Sequence, residues 1–466
     1  MVAQLKATLW QAANKLRGSL PAGQYKDVVL GLVFLRYVSD LEHPAFTVPA
    51  TACWKALTDN VTGPDIGQCV DAAMGDVMAA NPALTGLLPQ LYQRVDQRRL
   101  AELVGLLGDA NFGGHDGHRG RDLIGEVYEY FLGNFARAEG KRGGEFFTPP
   151  SVVRLLVDIL QPLSGRVYDP CCGSGGMFVQ VCAGAARDVT IFGQESVEET
   201  WRMAKMNLIV HGIDDTGIRH GDTFVSDLHA GMQMDYVLAN PPFNIKDWAR
   251  DQQDPRWRFG APPAGNANFA WLQHILSKLA PGGKAGVVMT NGSLTSKANG
   301  EGDIRARIVD ADLVSCVVAL PAHLFRNTGI PVCLWIFAED KGARRGQVLF
   351  VDARTLGYPV DRSQRALTTH EIAQLADLYH RWTGSSENAA YEDDPGLCRT
   401  VDLAEIRAAG YALTPGRYVG APAADDESEP VEAKLTRLCA ELLTALDESA
   451  QWDKVVRRQV ERVRWR

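Results

Sequence analysis

Apolar side chains recur at helical spacing along the first 140 residues. The positions that carry this spacing are Leu9, Trp10, Leu16, Val28, Leu30, Val33, Phe34 and Tyr37, with a further amphipathic run from Asp122 to Phe135. Because residues three and four apart share one face of a helix, the spacing predicts a helical domain over residues 1–140. Between these runs, Asn111 to Arg121 is rich in glycine and contains His115 and His118. No further ligands cluster nearby, so we interpret it as a solvated loop and expect no metal site.

From about residue 150 the pattern changes to short apolar, β-prone runs separated by helical stretches. The runs are Arg166–Tyr168, Thr190–Gln194, Met234–Ala239, Ala285–Thr290, Leu313–Leu320, Pro331–Phe337 and Gln347–Val351. The helical stretches include Glu198–His211 and Phe269–Leu279. Such alternation predicts an α/β fold with a Rossmann-like, doubly wound, mostly parallel sheet over residues 141–420. The strands after Leu313 lie close together in the sequence, which indicates an antiparallel edge.

A third region, residues 421–466, has a different character. Ala421 to Pro430 holds four acids, two prolines and no bulky apolar group, which is typical of a linker. Beyond it, leucines form a narrow stripe of the kind that packs against another helix. They are Leu435, Leu438, Leu442 and Leu446. Two interpretations stay open: a helix that folds back on its own domain, or a helix that docks on another subunit.

Composition restricts the class of protein. With 46% hydrophobic and 22% charged residues the chain is ordinary for a globular protein, and its longest early apolar run, Val28 to Leu35, is too short to span a bilayer. Nine cysteines without a CxxC pair favour a reduced, cytoplasmic protein. The net charge of −8 does not favour nucleic-acid binding, although Asp453 to Arg466 holds six basic residues and two acidic ones.

A glycine-rich turn follows the first predicted strand. It begins at Asp169, contains Gly173, Ser174 and Gly175, and precedes a predicted helix. Such a turn lets the backbone approach a nucleotide-like ligand. Glu195 ends the next strand, where a carboxylate can bind the two hydroxyls of a ribose. A dinucleotide is the alternative ligand, but the third glycine of its fingerprint is replaced by a phenylalanine, Phe178.

The sequence Asn240-Pro241-Pro242-Phe243 comes directly after the strand Met234–Ala239. The two prolines end the strand and stiffen the backbone at the edge of the sheet where ligands bind. There the Asn240 side-chain oxygen and the Pro241 carbonyl can accept both hydrogens of one amino group, which aims its lone pair at a methyl donor. Phe243 can stack on a base flipped out of a nucleic-acid helix. The alternative is a plain strand-terminating turn.

Two further segments are candidates for cofactor contacts. Gly144 to Pro150 precedes the first helix of the α/β region, and we expect contacts from part of it. The residues concerned are Glu145, Phe146, Phe147, Thr148 and Pro149. The alternative is structural, with Thr148 capping that helix. Asp222, after the third strand, is placed equally well to contact the adenine of a cofactor or to shape a turn.

These segments together resemble the modification (methyltransferase) subunit of type I restriction-modification systems, within the amino-group DNA methyltransferases. The resemblance covers nearly the whole chain, including Leu30 to Asp40, the two motifs above, Thr328 to Pro331 and Leu413 to Gly420. It implies an S-adenosylmethionine-dependent enzyme that produces N6-methyladenine, with Asn240, Pro241, Pro242 and Phe243 as its catalytic residues.

The resemblance also implies partners. Family members assemble as two such subunits around one specificity subunit, which reads the sequence of double-stranded DNA. An ATP-driven restriction subunit would be a separate chain, because no phosphate-binding GxxxxGK[ST] loop occurs here. Three rival interpretations are a protein-glutamine or RNA methyltransferase, a catalytically silent scaffold, and a nicotinamide-dependent dehydrogenase. Phe269 is the residue that we predict as the second one, besides Phe243, to stack on the base.

Overall fold

The structure is a computed structural model. It describes residues 2–16, 22–40, 46–59, 65–109, 117–138, 148–183, 188–325, 329–362, 364–386, 390–421 and 431–462. The chain forms two compact units, Met1–Val419 and Gly420–Arg466. The first unit contains all the described strands and every helix but the last.

Helices dominate the first 140 residues, as predicted. They are α1 (Val2–Lys15), α2 (Ala22–Asp40), α3 (Trp54–Asp59), α4 (Ile66–Ala80), α5 (Gln97–Asp109) and α6 (Gly117–Ala138). Helix α6 already begins at Gly117, so the prediction of a loop as far as Arg121 is wrong for its last five residues. The earlier part of that predicted loop, with His115, lies outside the described residues.

Strands and helices alternate through the rest of the first unit. The strands are β1 (Ser164–Asp169), β2 (Asp188–Glu195), β3 (Ile218–His220), β4 (Met234–Ala239), β5 (Leu279–Thr290), β6 (Val314–Ala319), β7 (Val332–Ala338), β8 (Gln347–Asp352), β9 (Tyr358–Pro359), β10 (Arg365–Ala366) and β11 (Cys398–Asp402). The helices are α7 (Pro150–Leu160), α8 (Gly176–Cys182), α9 (Glu198–Val210), α10 (Asn268–Ser277), α11 (Glu301–Asp310), α12 (Thr369–Thr383) and α13 (Leu403–Ala408).

Nine strands form one sheet in the order β11-β8-β6-β7-β5-β4-β1-β2-β3. Strands β5, β4, β1, β2 and β3 are all parallel, which confirms the doubly wound core. The predicted antiparallel pairing after Leu313 is present, but it is not confined to an edge. Strand β7 runs antiparallel between β5 and β6, inside the sheet, whereas β11 alone is an antiparallel edge strand.

Helices cover both faces of the sheet. On one face α7, α8 and α12 share a core with the strands, which includes Leu156, Phe178 and Trp382. On the other face α10, α11 and α13 do so through side chains such as Leu272 and Ile308. Burial on both faces explains why β7 is apolar throughout rather than alternating.

The N-terminal helices pack against α9. Met203, Met206 and Ile209 of that helix belong to the same buried cluster as the apolar side chains of α1 to α6. The hydroxyl of Tyr37 donates to the Ile209 carbonyl at 3.3 Å, and that of Tyr128 donates to the Met203 carbonyl at 3.4 Å. The helical region therefore shares one apolar core with α9 of the α/β region.

The second unit consists, where it is described, mainly of helix α14 (Val431–Arg462). Its leucine stripe is exposed, at 57% for Leu435 and 61% for Leu442. Most of the predicted linker, residues 422–430, lies outside the described residues. No helix in the described parts of the chain combines the length and apolarity needed to cross a membrane.

Candidate active site

A cavity of about 1210 Å³ opens at the carboxyl ends of the parallel strands. Strands β4, β1, β2 and β3 are neighbours in the sheet, so the segments that follow them meet along one edge. Asp169 ends β1, Glu195 ends β2, Asp222 follows β3 and Asn240 follows β4; all four line the cavity. This is the position at which a doubly wound sheet binds its ligands.

The turn after β1 is tied to β2 by backbone contacts. Cys172 donates its N–H to the Gln194 carbonyl at 3.0 Å, and Gly173 donates its N–H to the Glu195 carboxylate at 3.1 Å. Gly173 and Gly175 have φ angles of 55° and 76°, a left-handed backbone conformation that glycine adopts without strain. The sequence therefore needs glycine at both positions to bring this turn against β2.

Glu195 is a buried carboxylate that can accept a further hydrogen bond. It is 4% exposed; Oε2 accepts from Gly173, and Oε1 accepts from the Val197 N–H at 2.8 Å and from the Ser196 hydroxyl at 3.4 Å. A carboxylate offers about four lone-pair sites, so Oε2 keeps one for a ligand hydroxyl. Burial raises the pKa of Glu195, and these backbone donors partly oppose that rise.

Asp169 lies deeper at the same edge. It is 3% exposed and accepts a hydrogen bond from the Cys171 N–H at 3.0 Å. Burial raises its pKa to about 7, because the charged carboxylate loses its hydration there. Burial likewise raises the pKa of the Cys171 and Cys172 thiols, which are therefore neutral. A positively charged ligand would relieve the cost of ionising Asp169.

Asn240 is oriented by Thr148. Its amide nitrogen donates to the Thr148 hydroxyl oxygen at 3.0 Å. The amide oxygen, Oδ1, is buried, and no donor in the described part of the chain reaches it. A buried acceptor without a partner carries a desolvation cost that a ligand donor removes. Because Pro149 rather than Thr148 precedes helix α7, the alternative in which Thr148 caps that helix is wrong.

Two phenylalanines form an aromatic corner of the cavity. The rings of Phe243 and Phe325 lie 6.1 Å apart between centroids at an angle of 70°, and both residues line the cavity. Phe269 does not: it is fully buried in the core between the sheet and α10, so the prediction that it sandwiches the base is wrong. Phe325 was missed because it lies in a loop after β6, far from Phe243 in sequence.

Asp222 shapes the turn after β3 and lines the cavity. One carboxylate oxygen accepts from the Phe224 N–H at 2.8 Å and from the Val225 N–H at 3.3 Å. The residue itself is exposed. The turn interpretation is therefore confirmed, and contact with the adenine of a cofactor stays a prediction, for which the local hydrogen bonds leave the second oxygen.

The structure brings most of the predicted site residues together. The lining includes Thr148, Pro149, Asp169, Gly173, Ser174, Glu195, Asp222, Asn240, Pro241, Pro242 and Phe243. Gly175 is outside the lining and instead precedes the first turn of α8. Glu145, Phe146 and Phe147 lie outside the described residues.

The helical region also contributes to the cavity, which the sequence did not predict. Lys6 of α1 and five residues of α6, among them Glu126, Glu129 and Tyr130, line one wall. Lys6 donates to the Glu126 carboxylate at 2.8 Å. Burial raises the pKa of Glu129. Only the packing of α6 beside the sheet, which no local pattern encodes, brings these side chains to the site.

Comparison with protein families identifies the class of enzyme. Residues 119–427 match the model of the N-6 DNA methylase family, and residues 5–45 match that of the HsdM N-terminal domain. The chain belongs to the N-6 DNA methylase family. It is an adenine-specific DNA methyltransferase of the type I modification-subunit kind.

Individual relatives agree with this assignment. The methylase subunit of the type I restriction enzyme HindI from Haemophilus influenzae is 42% identical, over 89% of this chain and 99% of its own length. The methylase subunit of MjaIX from Methanocaldococcus jannaschii is 36% identical, over 94% of this chain and 88% of its own length.

A solved structure has the same fold over most of the chain. The methyltransferase subunit of a type I restriction-modification system from Streptococcus thermophilus superposes with a TM-score of 0.78 at 25% identity. The match covers 90% of this chain and 99% of that one.

Proposed function

We propose that the cavity binds S-adenosylmethionine together with an adenine flipped out of DNA, and that Asn240 holds the adenine N6 amino group for methylation. The observation that carries this proposal is the buried Oδ1 of Asn240, which has no donor among the described residues, at the edge of a cavity of about 1210 Å³. That volume exceeds the roughly 300–1,000 Å³ of a pocket for one small ligand, which favours two ligands side by side.

The residues at the strand ends suit the cofactor. Glu195 retains an acceptor site on Oε2 for a ribose hydroxyl, and Asp222 lies next along the edge, on the nucleoside side. Asp169, whose pKa burial raises to about 7, gains from a nearby cation because the cation favours its ionised form. When bound, S-adenosylmethionine supplies an electrophilic methyl group on a positively charged sulfur.

Asn240 and Pro241 act on the acceptor amino group. Thr148 binds the amide nitrogen of Asn240, so the amide oxygen is left as the acceptor for one N6 hydrogen. The Pro241 carbonyl accepts the other. Both bonds draw the nitrogen lone pair out of conjugation with the ring and make it a nucleophile without prior loss of a proton. Phe243 stacks on one face of the flipped base, and Phe325, whose ring lies edge to face against that of Phe243, adds to the aromatic wall beside it.

Replacing Asn240 by alanine tests this mechanism. We expect methyl transfer to DNA to fall by about a hundredfold or more, as for loss of a preorganised polar group at a reacting centre. The dissociation constant for S-adenosylmethionine should stay within about twofold, because Asn240 binds the other substrate. Near-normal turnover in this variant would contradict the mechanism.

We also propose that two copies of this chain assemble with one specificity subunit, which reads the DNA sequence. Support comes from the relatives named above, which are methylase subunits of type I restriction enzymes rather than whole enzymes. Native mass spectrometry after co-expression with the specificity subunit from the same organism tests the ratio. A two-to-one complex supports the proposal, and any other stoichiometry contradicts it.

A further inference from the structure

The loop between the catalytic tetrapeptide and α10 contains a rigid pair of charged side chains. Arg256 donates to both oxygens of the Asp254 carboxylate, from Nε at 2.9 and 2.8 Å and from Nη2 as well. The two side chains are only 14% and 13% exposed. A bidentate pair of this kind fixes the plane of the guanidinium and directs its remaining donors.

Those remaining donors point at the turn that carries Asp222. Arg256 Nη1 donates to the Thr223 carbonyl at 2.7 Å, and Nη2 donates to the Phe224 carbonyl at 3.3 Å. From the other side, the Thr223 hydroxyl donates to the Pro170 carbonyl at 2.6 Å. The turn after β3 is therefore held between the segment that follows β1 and the loop that follows β4.

Neighbouring groups keep Arg256 in this position. Its Nη1 also donates to Nδ1 of His274, at 3.2 Å. His274 is fully buried, and burial together with Arg256 lowers its pKa to about 3, so the ring is neutral and can accept. The guanidinium also lies 5.3 Å from the ring centre of Trp257 and 5.9 Å from that of Phe224.

We infer that Arg256 is a positioning residue for the nucleoside part of the cofactor. By binding two successive carbonyls of the turn, it fixes the backbone from which the Asp222 side chain faces the cavity. It belongs to the loop that begins at Asn240, so the same loop carries the catalytic motif and sets the cofactor side of the cavity. The inference rests on the proposed function, because it assumes that S-adenosylmethionine binds here.

Arg256→Gln tests the inference, with Arg258→Gln as the matched control. Arg258 lies two residues away and is exposed, and the only interaction described for its side chain is with the ring of Phe259. Its replacement therefore removes the same charge from the same loop. We expect Arg256→Gln to raise the dissociation constant for S-adenosylmethionine about tenfold, as for loss of one or two charge-assisted hydrogen bonds. Arg258→Gln should bind like the wild type.

Three further measurements distinguish positioning from general destabilisation. Methylthioadenosine, which keeps the nucleoside and lacks the amino-acid end, should lose affinity by the same factor. The turnover number of the assembled methyltransferase at saturating cofactor should stay within about twofold, since Arg256 touches no reacting atom. Arg256→Lys should recover part of the affinity, because an ammonium can bind one of the two carbonyls.

Asp254→Asn provides a second variant that leaves the guanidinium in place. It should also raise the dissociation constant for S-adenosylmethionine, but by a smaller factor than Arg256→Gln, because Arg256 is then less firmly oriented. Unchanged affinity in folded Arg256→Gln, or a loss for S-adenosylmethionine that methylthioadenosine does not share, would overturn the inference. Absence of cofactor binding by the wild-type chain would instead overturn the proposed function.

Discussion

Single residues in the cavity owe their chemistry to burial. Asp169 and Glu195 would be ordinary carboxylates on the surface, but at 3% and 4% exposure both have a raised pKa. Asn240 Oδ1 is an acceptor deprived of water and of a described protein donor. In the proposed function, each of these atoms would be stabilised by a ligand group of the opposite character, so the site would select a cation and an amino group.

The first prediction concerns pH. Since burial raises the pKa of Asp169 to about 7, the free protein holds this carboxyl largely protonated below that value. The ionised form binds a cation better, so affinity for S-adenosylmethionine should rise as pH increases towards and through 7 and then level off. Calorimetric titration between about pH 5.5 and 8 measures this. The profile should flatten in Asp169→Asn.

The matched control for this profile is Glu199→Gln, which removes an exposed carboxylate outside the cavity lining. It should leave the pH dependence as in the wild type. A slope that persists in Asp169→Asn would contradict the assignment of the titration to Asp169.

The second prediction concerns Thr148. Thr148→Val keeps the shape of the side chain and removes the oxygen that accepts from the Asn240 amide. The amide then loses its orientation, so the turnover number should fall about tenfold, the equivalent of one hydrogen bond. Thr148→Ser retains the hydroxyl and should behave nearly as the wild type. Equal turnover in the valine and serine variants would show that this hydrogen bond has no role in catalysis.

The sequence predicted those site residues whose motifs are local. Asn240 to Phe243 and Asp169 to Gly175 carry their information in adjacent positions, and both segments lie at the predicted edge of the sheet. The bond between Thr148 and Asn240 joins residues 92 positions apart. Neither that bond nor the ring contact of Phe243 with Phe325 has a local signal, because both depend on how loops from distant strands converge.

At the scale of elements, α9 connects the glycine-rich turn to the helical region. Asn207 of α9 is fully buried, and its amide donates to the Ser174 carbonyl at 2.9 Å. On its other side α9 packs against α2 and α6. A shift of α6 against α9 should therefore displace the glycine-rich turn after β1, because Asn207 connects the two.

The third prediction uses the close approach of these helices. A Cβ added at Gly125 of α6 would lie 2.8 Å from Nε2 of His211, whose other ring nitrogen is held 2.8 Å from the Asn207 carbonyl oxygen. Gly125→Ala should therefore lower the free energy of unfolding by about 1–3 kcal/mol. A Cβ added at Gly105 of α5 meets no atom within 4 Å. Gly105→Ala should therefore raise the free energy of unfolding by roughly 0.5–1 kcal/mol, because alanine favours the helix over glycine. Chemical denaturation measures both, and equal effects would contradict the packing argument.

Element type was predictable from the sequence, but the arrangement of elements was not. The seven predicted strands are all present, because short apolar β-prone runs mark strands buried on both faces. The insertion of β7 between β5 and β6 depends on pairing between distant strands. Strand β11 was missed because its residues, Cys398 to Asp402, are mixed polar and apolar and resemble a loop.

At the scale of the whole molecule, the helical region and the sheet form one compact unit, Met1–Val419. The core of the helical region includes Met203, Met206, Ile209 and Val210 of α9. The cavity too has walls from both parts, since Lys6 and Glu129 line it together with the strand ends. The predicted boundary near residue 140 therefore lies inside the compact unit Met1–Val419.

The fourth prediction follows from this shared core. Removal of residues 1–140 would expose the apolar face of α9, so the remaining fragment should aggregate or bind a hydrophobic dye. Removal of residues 422–466 takes away only the second unit and should leave a soluble, folded chain. Size-exclusion chromatography and thermal melting distinguish the two, and a monomeric, cooperatively melting fragment 141–466 would contradict the prediction.

The most direct test of the central claim, that Asn240 in this cavity directs methylation of adenine in DNA, is single-molecule methylation sequencing of the source genome. Three strains are compared: the wild type, a deletion of the gene and a chromosomal Asn240→Ala substitution. The account predicts N6-methyladenine at one split, two-part motif in the wild type and none at that motif in the other two. Methylation that persists in the Asn240→Ala strain would contradict it.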